Sequence, residues 1–110
     1  MMSDLRWNRE FALEQTGGDQ ELLAELLGLL SNSSVGDLQK IEAGLSGGDA
    51  AQVAAAAHSI KGAAASLGVE GLRLAAHEIE KQGRENRLAE IDCPGLRDLV
   101  SQLGSLKADG

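Results

Sequence analysis

Ala54–Gly68 reads AAAAHSIKGAAASLG, and how this stretch folds decides how the rest of the chain is arranged. Read as a helix, it makes neighbours of residues three and four positions apart. His58 then sits among Ala54, Ala55, Lys61 and Gly62, with nothing bulky over the imidazole and a cation one turn on. A Gly in a helix interior costs about 1 kcal/mol relative to Ala, so Gly62 points to close approach by something large. An exposed His beside alanines is also ordinary surface, and an Ala/Gly face is also a tight helix–helix contact. The combination of His, Lys at i+3 and Gly at i+4 favours an accessible His58 with a chemical use.

The helix around His58 has defined ends. Ser46-Gly47-Gly48 is a turn, and Asp49 followed by Gln52 has the form of a capping box. Val53, Ala57, Ile60, Ala64 and Leu67 form the buried seam, with His58 one residue off it, and Gly68 stands where a C′ glycine ends a helix.

Upstream, Leu23, Leu27, Leu30, Leu38, Ile41 and Leu45 keep three- and four-residue steps if Ser34 takes the missing seam position. That predicts one helix from about Asp19 to Leu45, roughly 40 Å long, with Asp19 as its cap. Ser31–Asp37 (SNSSVGD) is its weak point, and a kink or break near Gly36 is the alternative. Before Thr16-Gly17-Gly18, a short first helix is expected over Asp4–Gln15, capped by Ser3 or Asp4. Trp7 and Phe11, four apart, then share a face that covers the end of a bundle or, alternatively, joins a docking patch.

Downstream, Leu72, Ala76 and Ile79 mark a fourth helix that fades around Gly83–Asn86. Asp92-Cys93-Pro94 starts the last one, with Pro in the first turn, and Leu96, Leu99, Val100, Leu103 and Leu106 give it an apolar stripe. Short turns between amphipathic helices imply antiparallel neighbours. The expected fold is all-α: an antiparallel up-down-up-down four-helix bundle plus a short N-terminal helix, one domain over residues 1–110.

Composition agrees with that class. Hydrophobic residues make up 43 % of the chain, nearly all of them Leu, Ala, Val and Ile, and Trp7 and Phe11 are its two aromatics. A net charge of −7 argues against binding nucleic acid or an anionic membrane through overall charge. Cys93 is the single cysteine, which excludes an internal disulfide and fits a reducing compartment. MMSDLRWNRE lacks the apolar run of a signal peptide, and no stretch approaches the ~20 apolar residues of a membrane span. A cytoplasmic location is expected; the Met start and short tails suggest a free-standing protein, and monomer is the default.

Near neutral pH much of an imidazole with the usual pKa of about 6.5 is the neutral, nucleophilic form. Such a nitrogen can attack an activated phosphoryl group and hold it covalently. A cation such as Lys61 helps by facing the charge on the outer oxygens, and Gly62 leaves room for the protein that brings the group. Lys61 is otherwise an ordinary solvated lysine. His77, with Glu80 and Lys81 at i+3 and i+4, looks like plain surface. The turn at Gly68 brings Glu78–Glu80 level with His58; Glu80 is expected to be solvated, orientation of Lys61 or the imidazole being the alternative. A carboxylate-bridged metal site wants several Glu and Glu-x-x-His pairs, which His58 lacks, and no phosphate-binding Gly-rich loop appears.

His58-Ser59-Ile60-Lys61-Gly62, followed by Ala63-Ala64-Ala65-Ser66-Leu67-Gly68 and then Ile79-Glu80, resembles the histidine-containing phosphotransfer (HPt) domain of two-component phosphorelays. The family's pattern is His-x-Leu-Lys-Gly, small residues, a Gly about ten beyond the His, and a later Leu-Glu. Gly17-Gly18-Asp19 and Gly48-Asp49 resemble it too, so that the likeness spans about Asp4–Arg87 and the final helix. The resemblance implies a phosphocarrier without kinase or phosphatase activity of its own. His58 would be the phosphoacceptor, Lys61 the phosphoryl-stabilising cation and Gly62 the clearance residue. The partners implied are a response-regulator receiver domain and a hybrid sensor histidine kinase, the Mg²⁺ belonging to the receiver, with no cofactor or metal here. Ile60 replaces the usual Leu, the second helix lacks the common aromatic near Leu29–Leu30, and some members carry Gln at the position of Glu80. The alternative is a helical module that binds and titrates a receiver or kinase without accepting phosphate.

Overall fold

Helices in the computed structural model, which describes residues 4–108, start where a side-chain acceptor precedes an apolar run. Helix α1 spans Arg9–Gln15, α2 Gln20–Gly47, α3 Ala50–Ser66, α4 Glu70–Arg84 and α5 Cys93–Gln102. Single 3₁₀ turns at Leu88–Glu90 and Leu103–Ser105 flank α5. Asn8, Asp19, Asp49 and Asp92 each accept a backbone N–H of the first turn, from Phe11, Leu22, Gln52 and Gly95 respectively, at 2.9–3.1 Å. Each such cap contributes about 1 kcal/mol. The reciprocal half of the expected capping box is not made: the Gln52 amide donates across to the Lys40 carbonyl of α2 at 2.9 Å.

α2 runs unbroken through Ser31–Asp37. Leu23, Leu27, Leu30, Leu38 and Ile41 are buried on one stripe, and Ser34 fills the gap in it with no exposed surface. The polar segment stays helical because the apolar stripe keeps its register on both sides, so packing overrides propensity. At the C-terminal end Gly44 is buried, whereas Leu45 is only partly so. A Cβ there would stand 2.7 Å from Val53 Cγ2, so Gly44 lets α3 come close.

Chain direction reverses at each of the two turns next to α3. Gly44 faces Val53, and Leu26 and Leu30 lie alongside Ala63 and Leu67. Likewise His58 faces Glu80, and Gly83 lies against Ala50 and Ala54. α5 packs on both α2 and α4, closing a helical bundle around Leu23, Ile41, Val53, Ile60, Leu72 and Leu96. Arg97 of α5 pairs with Glu42 of α2 on the outside. No helix is long and apolar enough to cross a membrane among the described residues.

The N-terminal segment differs from expectation. α1 begins at Arg9, and Asp4 does not cap it; Ser3 lies outside the described residues. Leu5–Asn8 runs instead as a strap across the α3–α4 turn. Trp7 bridges Val69, Asn8 N–H donates to the Gly68 carbonyl at 2.9 Å, and Trp7 Nε1 donates to the Leu67 carbonyl at 3.0 Å. α4 has no side-chain cap; its Gly71 N–H donates to the Leu5 carbonyl at 2.7 Å. The strap thus satisfies groups that a helix end leaves unpaired. Trp7 and Phe11 are not partners on one helix, because Trp7 precedes the Asn8 cap.

Two stability measurements check this packing. A Cβ at Gly71 would meet the Asp4 carbonyl oxygen at 2.0 Å and that of Leu5 at 2.7 Å, so Gly71→Ala should cost about 1–3 kcal/mol in urea unfolding. The Ser34 hydroxyl is buried without a hydrogen-bond partner among the described residues. Ser34→Ala should therefore raise stability by about 1 kcal/mol, a few degrees in Tm.

Candidate functional site

α3 presents two faces. Ala54, Ala57 and Ala64 are buried against the bundle, whereas Ala55, His58, Ser59, Gly62 and Ala65 are exposed. The Ala-rich stretch is thus both a tight helix contact and an open surface, on opposite sides of one helix. The small residues flanking His58 leave its side chain 63 % exposed. Nothing within 4 Å would touch a Cβ at Gly62. The bundle itself does not require a glycine there.

Across from His58, α4 supplies Glu80, which is buried rather than solvated as expected. Gly83, one turn further along α4, lets this happen: a Cβ on it would sit 3.2 Å from Ala54 Cβ, so the two helices lie close at this level. Glu80 Oε2 accepts from His58 Nδ1 at 2.9 Å and from Arg84, through Nη2 at 2.6 Å and Nε at 3.1 Å. Oε1 meets the Lys61 ammonium at 2.6 Å, an ion pair without an aligned hydrogen bond. Burial pushes the Glu80 carboxyl up, but Lys61, Arg84 and His58 together outweigh it and hold its pKa at about 2.

This has a consequence for the imidazole. An ionised carboxylate only accepts hydrogen bonds, so Nδ1 must carry the hydrogen in the contact with Glu80. In the neutral ring the bare nitrogen is then Nε2. Glu80 therefore sets the tautomer and the ring's orientation, and Lys61 is tied back to the same carboxylate one turn away.

Sequence reading named His58, Lys61 and Gly62; His58 and Gly62 are exposed on one edge of α3, and Lys61 beside them is partly buried against Glu80. It missed Arg84, treating that region as the fading end of α4. The signal was present, since Glu80 and Arg84 are an i, i+4 pair in the favourable order. His77 is exposed and makes no ion pair with Glu80 among the described residues. No group of three His, Cys, Asp or Glu side chains among the described residues is placed to hold a metal ion.

The family model described as "Hpt domain" matches residues 25–106. The chain belongs to the Hpt family. The match takes in most of α2 and all of α3, α4 and α5, and leaves the strap and α1 outside. No curated protein and no solved structure matches the chain. Hpt domains are helical bundles that serve histidine phosphotransfer in two-component phosphorelays, as carriers rather than enzymes, and interact with receiver domains and kinases.

The Glu80 contacts give this Hpt domain a pH dependence with a definite sign. A carboxyl held at about 2 against an ordinary 4.5 contributes stability above about pH 4.5 and loses it as pH falls toward 2. Glu80→Gln should lower the urea midpoint at pH 7, by about 1–3 kcal/mol in stability. The gap between variant and wild type should close between pH 4.5 and 2.

Proposed function

We propose that His58 is the phosphoacceptor of this Hpt domain, exchanging a phosphoryl group with an aspartate of a receiver domain. The observation that carries the reading is the Glu80 contact at Nδ1, which leaves Nε2 bare on a solvent-facing ring. In the forward step the Nε2 lone pair attacks the phosphorus of an aspartyl phosphate. The N–P bond forms, the bond from phosphorus to the aspartyl oxygen breaks, and the carboxylate leaves with the electron pair. No proton need depart, because Nε2 carries none; the Nδ1 hydrogen stays in place. The positive charge that develops on the ring faces Glu80. Passing the group on is the same step reversed.

Lys61 and Gly62 have supporting roles in this reading. The Lys61 ammonium lies one helical turn from His58 and faces the charge on the phosphoryl oxygens. Gly62 keeps the surface low beside Nε2, so that the partner's reacting aspartate can come within bonding distance. The Mg²⁺ that the transfer uses belongs to the receiver, and a hybrid sensor kinase is the upstream source. The domain has no kinase or phosphatase activity of its own.

The decisive experiment incubates the protein with a panel of labelled, phosphorylated receiver domains. Wild type should take up acid-labile, base-stable label, and His58→Gln should take up none. Binding without label in every pairing would make the chain a titrating module instead. Gly62→Leu should slow transfer at least about tenfold while the bundle stays folded, and Gly62→Ala should be as stable as wild type or up to about 1 kcal/mol more so. Lys61→Ala should slow transfer about tenfold without abolishing it. An unchanged rate in Gly62→Leu would remove the clearance role.

A further inference from the structure

Arg84 is the last residue of α4, where a cation suits the helix dipole whatever else it does. An exposed i, i+4 ion pair is ordinarily worth little. What sets this one apart is the atom that Arg84 binds. Glu80 is 6 % exposed, and its Oε2 accepts from His58 Nδ1 at 2.9 Å and from Arg84 through Nη2 at 2.6 Å and Nε at 3.1 Å. Lys61 meets the other oxygen, Oε1. Three donor groups therefore share one carboxylate oxygen with about two lone-pair sites, and the shortest of the three bonds belongs to the guanidinium. Imidazole and guanidinium compete for the same acceptor.

That competition bears on the form of the ring. A carboxylate beside an imidazole favours the protonated ring, and a nearby cation opposes it. The protonated ring carries hydrogen on both nitrogens and has no lone pair to offer at Nε2. Taking the phosphocarrier reading of His58 as its premise, we propose that Arg84 is a positioning residue that acts through Glu80. By occupying the oxygen that His58 also uses, it keeps the carboxylate as an orienting acceptor without letting it hold the ring as a cation before the phosphoryl group arrives. Ionisable groups come to the imidazole from two helices. α3 supplies Lys61 and α4 supplies Glu80, with Arg84 behind it; His77 and Lys81 line the shallow depression next to Lys61. From α2 no ion pair or hydrogen bond reaches His58 among the described residues.

The test compares wild type with Arg84→Gln, Arg84→Lys and Lys81→Gln, each first checked for helix content by circular dichroism. Lys81→Gln removes an equal charge from α4 at an exposed side chain that no ion pair engages among the described residues. In the unphosphorylated protein, ring ¹⁵N shifts report the fraction of His58 that is doubly protonated near neutral pH. Arg84→Gln should raise that fraction, Arg84→Lys should raise it less, and Lys81→Gln should barely move it. Transfer from the phosphorylated receivers is then measured at about pH 6 and about pH 8. The loss in Arg84→Gln should be about threefold greater at the lower pH, and this difference should vanish when Glu80→Gln is also present. A loss equal at both pH values, or one that persists with Glu80→Gln, would overturn the proposal, since Arg84 would then act directly on the phosphoryl group or the partner. Equal ring shifts in Arg84→Gln and Lys81→Gln would overturn it too. Ring shifts as expected with no label on wild type would keep the Arg84 effect and sink the carrier reading. Label on wild type with a ring unmoved by Arg84→Gln would do the reverse.

Discussion

A carboxylate removed from water costs several kcal/mol unless cations and hydrogen-bond donors surround it. Glu80 is such a group, and the protein meets its demand by drawing on two helices at once. Lys61 and His58 come from α3 and Arg84 comes from α4 itself. The arrangement requires that the two helices lie close, which Gly83 against Ala54 makes possible. Removing any one cation would leave a buried charge less well compensated, so the quartet ties helix packing to the state of the imidazole. One buried anion faces two cations and the imidazole of His58.

The α3–α4 hairpin that holds this quartet is secured from outside. Its turn lacks a side-chain cap, and the strap Leu5–Asn8 fills that role with backbone groups and the Trp7 indole. The lone tryptophan of the chain is therefore tied to the hairpin turn through both its ring and its backbone. The end of α3 distant from the turn is fixed by different means, the Asp49 cap and the Gln52 amide on α2. His58 lies between two anchored ends, so its ring is carried by backbone that has little freedom to drift.

Charge works at two scales on this molecule. The net charge of −7 sets a repulsive field toward other polyanions over the molecule as a whole. Near His58, α4 shows the exposed cations Lys81 and Arg84 against that background. The two carboxylates lining the depression there, Glu80 and Glu85, are ion-paired, while no ion pair engages Lys81 among the described residues.

By itself the sequence determined the helices and much of the site. Apolar residues at three- and four-residue steps, with Asp19, Asp49 and Asp92 before them, set where α2, α3 and α5 begin, because caps and periodicity are local properties. The spacing of His58, Lys61 and Gly62 is likewise local, so one helix places all three on one edge. The tertiary structure decided the rest. Glu80 looked solvated because nothing along α4 shows that α3 will cover it, and burial of a charge is a property of the pair. Residues 4–8 carried a helical pattern, yet they serve better as a strap, since the α3–α4 turn offers backbone groups that only a neighbouring chain segment could satisfy. Ser34 and Gly36 were weak helix formers that the surrounding stripe held in place. Local chemistry chose the exposed edge that carries His58, and long-range packing chose the buried anion that orients its ring.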